Sequence, residues 1–147
     1  MSYTGGIFFG TVGCQYGQAL GMFKVAQDCA LALHGPEHPL FAATCSNIGN
    51  VYLSQCLYEE AQVEFGKALE IDTKVHGSSH QDVAATHTNM GVVYGRQGHH
   101  ENAQAQFQKA LDIQMPVVGF LHPGVAKSQV NLAWINMKHG KESECKA

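Results

Sequence analysis

Between residues 47 and 86 the apolar positions fall into two runs. Ile48, Val51 and Tyr52 step by three and then one, and Ala61, Phe65, Ala68, Leu69 and Ile71 continue in the same manner. Each spacing keeps its side chains on one stripe of a helix with about 3.6 residues per turn, so two amphipathic helices joined by a short turn are predicted. Small residues are interleaved with large ones. Gly49, Gly91 and Ala133 on the first helix, with Ala61 and Ala103 on the second, remove side chains where two backbones must approach, and Tyr52, Tyr94, Phe65 and Phe107 fill the space beside them. Such a helix pair cannot bury its apolar face alone, so neighbouring pairs must stack.

The pattern recurs. Asn47, Asn89 and Asn131 stand 42 residues apart, as do Gly35, Gly77 and Gly119; His38, His80 and His122; Ala42, Ala84 and Ala126; Phe23, Phe65 and Phe107; and Ala26, Ala68 and Ala110. The register never slips, which argues against a domain boundary inside the chain. The predicted fold is all-α, a right-handed α-solenoid of antiparallel helix pairs with about three and a half units. These are a partial, eroded repeat over 1–40, repeats over 41–82 and 83–124, and a truncated repeat over 125–147.

Several local departures carry their own expectations. Gly98 and Gly140 sit at the turn between the two helices of a unit, where a left-handed residue commonly ends a helix. Cys56 and Cys14 take that place in the other copies, so those turns should be strained or differently shaped. Pro116 stands where the previous unit has Lys74, and the second helix there should stop about a turn early or kink. Residues 5–10 read GGIFFG against NIGNVY in the next unit, a poor helix. Both ends look cut within a unit, and solenoid ends normally need a polar cap. Further sequence or another chain is therefore expected to cover them.

These residues carry a family resemblance. The string N-[IM]-G-x-V-Y-x-x-Q-x-x-x-E-x-A-Q-x-x-F-x-K-A-L-x-I resembles the tetratricopeptide repeat. The 42-residue period and the G-x-x-H-[PQ]-x-V-A loop resemble the long-loop subclass of kinesin light chains and nephrocystin-type proteins. The likeness covers nearly the whole chain and implies the solenoid fold. It implies a protein-interaction scaffold without naming a partner.

Composition adds limits. Nine Lys/Arg against twelve Asp/Glu give a net charge of −3, which does not mark the molecule as a binder of nucleic acid or of an anionic membrane. The five cysteines form no CxxC, pointing to a reducing setting rather than a disulfide framework or structural zinc. With no apolar run of membrane-spanning length and no basic leader, a soluble, intracellular, cytoplasmic protein is expected.

The loops raise a question of chemistry: HGPEHP at 34–39 and HGSSHQ at 76–81 place two histidines around a turn. Proline follows His38 and His122 at what would be the first helical position, so these histidines read as helix starts whose imidazoles accept free backbone N–H groups. Convergence on a metal fails on distance. Equivalent points of stacked units lie on the order of 10 Å apart, against ~2.0–2.1 Å from zinc to a histidine nitrogen. Only His34 with His38, or His76 with His80, could share an ion. His99 and His100 read as solvated turn residues. No G-x-S-x-G, HExxH, GxGxxG or P-loop string is present, and an active site needs one asymmetric constellation. A non-enzyme with no metal and no cofactor is expected.

In tetratricopeptide solenoids the first helices line a concave face where extended peptides dock. Carried over position by position, the resemblance implies that Asn47, Asn50, Asn89, Val92, Arg96, Lys127, Asn131, Trp134 and Lys138 line that face, beside Ala43, Ser46, Leu53, Thr88 and Gly95. The Asn47–Asn89–Asn131 ladder can grip a peptide backbone whatever its side chains. Arg96, Lys127 and Lys138 would be the groove's only formal charges, with Glu59, Glu60, Glu64, Glu70 and Glu101 on or near the second helices. Trp134 is a residue type enriched at interface hot spots. The carboxylate clamp of chaperone-binding relatives is matched only in part, by Asn50, Asn89 and Lys127, because Ser46 and Asn131 replace basic residues. The expected partner is a protein or peptide, specifically a short, extended, acidic segment. The alternative is a structural subunit that self-associates or assembles through its uncapped ends and convex face. Metal binding by the loop histidines is the remote third.

Overall fold

The computed structural model describes residues 3–119 and 121–146, in which there are six helices and no strand. They are α1 (Tyr3–His34), α2 (Pro39–Ser54), α3 (Tyr58–His76), α4 (Gln81–Arg96), α5 (His100–Val118) and α6 (Pro123–Lys146). Each of α2/α3 and α4/α5 forms a tightly packed antiparallel pair. The pairs are linked in sequence by α1 on α2, α3 on α4 and α5 on α6. Among the described residues, Cα atoms of α2 and α4, and of α4 and α6, come within 8 Å, whereas those of α3 and α5 do not. The stack therefore closes toward the layer of α2, α4 and α6, which makes that layer the concave side. The expected all-α tetratricopeptide-type solenoid is the observed architecture.

The close approach within each pair is set by a ring against a glycine. A Cβ on Gly49 would lie 2.7 Å from Phe65 Cε1, and one on Gly91 would lie 2.6 Å from Phe107 Cε1. Both rings are fully buried, and Ala61, Ala68, Ala103 and Ala110 beside them have no exposed surface. Between pairs, Val93 of α4 packs into the cluster of Leu53, Ala61 and Phe65, and Ile135 of α6 joins Ala103 and Phe107. Ala133, at the register of Gly49 and Gly91, is exposed.

The turns repeat with the same precision. In the first, Leu57 N–H donates to Tyr52 O at 2.8 Å and Cys56 N–H to Leu53 O at 3.0 Å; in the second, His99 donates to Tyr94 O at 2.9 Å and Gly98 to Gly95 O at 3.2 Å. These are Schellman closures, which need a left-handed residue. Gly98 adopts φ 82° without penalty, and Cys56 is driven to φ 63°. The cysteine turn is thus strained rather than differently shaped. At the far ends of α3 and α5, Gly77 (φ 86°, ψ 165°) and Gly119 (φ 80°, ψ 172°) occupy a region that only glycine populates readily.

The histidine caps are present in all three copies. Nδ1 of His38 accepts from Leu40 N–H at 3.1 Å, that of His80 from Asp82 N–H at 3.1 Å, and that of His122 from Gly124 N–H at 3.0 Å.

Four local expectations are corrected. No turn interrupts the chain at Cys14, and α1 runs through the GGIFFG segment as one helix of 32 residues. A turn at Cys14 would need a non-glycine residue in the left-handed region, at about 1–2 kcal/mol. Gly140 lies inside α6 rather than at a turn. Pro116 does not shorten its helix: α5 ends at Val118, in register with His76 of α3, and Gly119 N–H closes on Met115 O at 3.0 Å. A proline this near the C-terminus removes one helical donor while the capping bond beyond it remains. His100 is not a solvated turn residue but is 5% exposed at the start of α5. Its counterpart 42 residues earlier, Tyr58, packs on the Leu53–Ala61–Phe65–Val93 cluster.

Among the described residues no helix is long and apolar enough to cross a membrane.

Three substitutions test these contacts, all read by urea unfolding. Gly91→Ala should destabilise by about 1–2 kcal/mol, because overpacking against Phe107 outweighs alanine's helix preference. Gly66→Ala, on α3 with open space around it, should stabilise by about 0.5–1 kcal/mol. Cys56→Gly should stabilise by about 1 kcal/mol by relieving the left-handed cysteine.

Candidate functional site

Two crevices open on the concave side, one on each flank of α4. The crevice between α4 and α6 is a cavity of about 140 Å³ lined by Gly91, Val92, Gly95, Arg96, Phe107, Asn131, Trp134 and Ile135. Its walls are apolar and its rim is aromatic and cationic. Trp134 is 48% exposed, and Lys138 Nζ sits 4.4 Å above the centre of its ring. Asn131 Nδ2 is enclosed here without a hydrogen-bond partner.

The crevice between α2 and α4 holds about 230 Å³ and is lined by Pro39, Ala43, Ser46, Asn47, Asp72, Asp82, Ala85, Thr86 and Asn89. Of the nine expected groove residues, Val92, Arg96, Asn131 and Trp134 thus meet in one crevice and Asn47 and Asn89 in the other. Asn50, Lys127 and Lys138 are exposed and line neither. Leu53 and Thr88 turn into the core, where Leu53 packs beside Phe65 and the Thr88 hydroxyl donates to Ala84 O at 3.1 Å. Gly95 is buried against Ile135.

The expectation that Arg96, Lys127 and Lys138 are the groove's only charges is overturned by Asp72 and Asp82. Asp72 comes from the last turn of α3, a second helix, and reaches between α2 and α4 to the concave side. The signal lay in the register: its equivalents Ala30 and Gln114 are both buried, so the position points inward in every unit. Burial, reinforced by the Asp82 carboxylate, raises the Asp72 pKa above the usual carboxyl range, and His76 and His80 offset this only in part.

Two of the three lysines on α3 and α5 are ion-paired, Lys109 having no carboxylate partner among the described residues. On the second helices, Lys67 pairs with Glu64 at 3.2 Å, and Lys74 pairs with Glu37 at 3.1 Å and Glu70 at 3.5 Å. Among the described residues, Arg96, Lys127 and Lys138 have no carboxylate within ion-pair distance.

The loop histidines form stacks. His34 lies on His38 with ring centroids 4.2 Å apart, and His76 lies on His80 at 4.1 Å with the planes 17° apart. Asp82 brings a carboxylate within 3.7 Å of His80 Nδ1 and 3.8 Å of His76 Nε2. Near-parallel rings project their in-plane lone pairs side by side rather than toward one ion, and His80 Nδ1 already accepts the Asp82 N–H. This geometry suits a cap braced by a second ring better than a chelate. Cys45 is fully buried; desolvation, with the Glu64 charge adding to it, raises its thiol to about 11, far from the thiolate that nucleophilic chemistry needs.

A stack of helix pairs with one recessed, side-chain-lined face defines a class, the α-solenoid interaction scaffold. Residues 40–115 match the tetratricopeptide repeat family, more than half of the sequence, and the chain belongs to that family, whose repeats mediate protein–protein interaction. Among solved structures, BtubC (BKLC) from P. vanneervenii superposes with a TM-score of 0.79 at 21% identity, over 86% of this chain and 50% of that one. Two structures of a Podosopora anserina protein with nearly identical TPR-like repeats, assigned to the kinesin light chains, superpose with a TM-score of 0.77. Their identities are 21% and 20%, over 90% of this chain and 62% and 63% of theirs. The chain therefore spans half to under two thirds of the length of these relatives in fold. No curated protein matches it.

The raised Asp72 pKa has a consequence for stability. A carboxyl that holds its proton more firmly folded than unfolded makes stability rise as pH falls, and above its folded pKa its charge is a standing cost. Asp72→Asn should therefore melt at a higher temperature than the wild type at pH 7. The difference should narrow as pH falls through the range where Asp72 protonates and vanish below the usual carboxyl pKa, as followed by circular dichroism melts across pH.

Proposed function

We propose that the chain is a non-catalytic protein-interaction module that binds a short, extended, acidic peptide segment along its concave face in an intracellular, cytoplasmic setting. The observation that carries this is that Arg96, on the wall of the apolar crevice, and Lys127 and Lys138, on α6, have no carboxylate partner among the described residues, Arg96 meeting the Leu53 carbonyl at 3.5 Å and Lys138 the Trp134 ring. A carboxylate-bearing partner would supply the missing counter-charges, with charge-assisted hydrogen bonds stronger than neutral ones. Trp134 and Val92 offer the apolar contact, and the enclosed Asn131 amide has a donor for which an extended backbone carries acceptors. Asn47 and Asn89 continue the polar track along the next crevice.

A second use of the molecule, as a subunit packed through other surfaces, draws support from α1, where Met22 is 73% and Val25 63% exposed. The two uses separate on one measurement. Peptides captured from an acidic-peptide array should lose about fivefold in affinity for each of Asn89→Ala and Lys127→Ala, the weight of roughly 1 kcal/mol per polar contact. The same affinities should fall as salt rises from low to physiological strength. Binding indifferent to both substitutions and to salt would move the function away from the groove.

A further inference from the structure

The groove is not uniformly cationic, and the crevice between α2 and α4 ends in a carboxylate without a partner. Asp72 is 6% exposed and lines the 230 Å³ cavity, into which its carboxylate opens, and among the described residues it has no hydrogen bond or ion pair. A carboxylate largely withdrawn from water with no cation beside it carries a desolvation cost that a cation entering the cavity would offset.

The next repeat shows what completion looks like. There Gln114, 42 residues on from Asp72, accepts a hydrogen bond from the Ser128 hydroxyl at 3.0 Å. The equivalent of Ser128 is Thr86, which also lines the cavity, but its hydroxyl donates to the backbone oxygen of Asp82 at 3.0 Å instead. The chain thus closes this position in one repeat and leaves it open in the other.

Asp82 adds a second carboxylate to the same cavity. Its neighbours are His80 Nδ1, which already accepts its backbone N–H, and His76 Nε2 at 3.8 Å. Lys74, close in sequence, is held by Glu37 and Glu70. No lysine or arginine among the described residues pairs with either aspartate.

We propose that this cavity receives the ammonium or guanidinium group of a lysine or arginine carried by the bound segment, with Asp72 at its floor and Asp82 beside it. The proposal rests on the groove being a peptide site and adds a second requirement to it: the segment is charged with both signs, acidic toward Arg96 and Lys138 and basic toward Asp72. The two ends are separated by about 15 Å along α4 from Thr86 to Arg96 and by about 10 Å across one helix spacing. The diagonal is bridged by roughly five residues of extended chain.

The test is selection of peptides from a random, phage-displayed dodecamer library on the full chain, followed by affinity measurement of the selected peptides as synthetic, labelled molecules. Three proteins are compared: wild type, Asp72→Asn/Asp82→Asn and Asn89→Ala/Lys127→Ala, with circular dichroism confirming that each is folded. Selected peptides should carry Lys or Arg about five residues from an acidic residue. Replacing that basic residue by Gln should weaken binding at least tenfold on the wild type and less than twofold on Asp72→Asn/Asp82→Asn.

Selected peptides that are acidic throughout, bind Asp72→Asn/Asp82→Asn as well as or better than wild type, and weaken on Asn89→Ala/Lys127→Ala would overturn the basic pocket while leaving the groove as the binding site. Peptides indifferent to both double variants, or the absence of any selected peptide, would overturn both.

Discussion

Phe65 and Phe107 occupy the space that a Cβ on Gly49 and Gly91 would need, and most of the architecture depends on that exclusion. A ring packed directly on a backbone draws the two helices of a unit together until no side chain fits between them. The alanines at 61, 68, 103 and 110 then close the remaining contact with no exposed surface. Because each first helix uses its buried stripe on its own partner and on the next unit, as Val93 does in the Phe65 cluster, its remaining stripe has nothing left to pack against. That leftover stripe is the groove, and its existence follows from the glycine–phenylalanine contact rather than from any binding residue.

Repetition makes the molecule its own control. Positions that touch a neighbouring unit face the same geometric demand in every copy, and they keep the same solution: glycine under phenylalanine, glycine beyond each second helix, a histidine cap at each of three helix starts. The cysteine at 56 is forced into the backbone shape glycine adopts at 98, which shows that stacking, not the local residue, dictates the turn. The one-turn closure is worth more to the pair than the roughly 1–2 kcal/mol of strain it imposes on a non-glycine residue.

The elements that the 42-residue register specifies through contact were the ones legible in the sequence. The helix pairs of the two central units, the caps at His38 and His122 and the strained turn at Cys56 all came from patterns whose physical cause is local. The misreadings arose where a pattern was carried over without its cause. Cys14 and Gly140 stand at the turn register, but among the described residues no unit packs on the far side of either to reward a turn, and α1 and α6 continue as helices. Pro116 breaks a helix only where it is interior, and it lies two residues from the last helical position of α5. His100 stands next to a turn, yet Tyr58 at the same register packs on the core and marks the position as inward. Asp72 is not legible from the helix it belongs to, because the end of α3 reaches past its own layer into the crevice between α2 and α4. Whether the nine groove residues act together lies beyond the register, because side chains that touch no neighbouring unit are free to differ.

That freedom is where the repeats diverge, and the divergence is not random in chemistry. At one register, Asn50 and Val92 give way to Trp134, an indole too large for a helix contact but suited to a half-exposed wall. At another, the buried Ala30 and the satisfied Gln114 flank an unsatisfied Asp72. An alanine there would remove the desolvation cost, and a glutamine could be closed from within as Gln114 is. A carboxylate is the least stable of the three options for the isolated chain. A residue that weakens the fold at a position whose neighbours show two better solutions makes physical sense when its partner lies outside the chain. Arg96 and Lys127 likewise have no carboxylate partner among the described residues. The concave side therefore carries charges of both signs, carboxylates in the crevice between α2 and α4 and, at the end of α4 and along α6, cations with no carboxylate partner among the described residues. A ligand that meets them in order must lie in one direction.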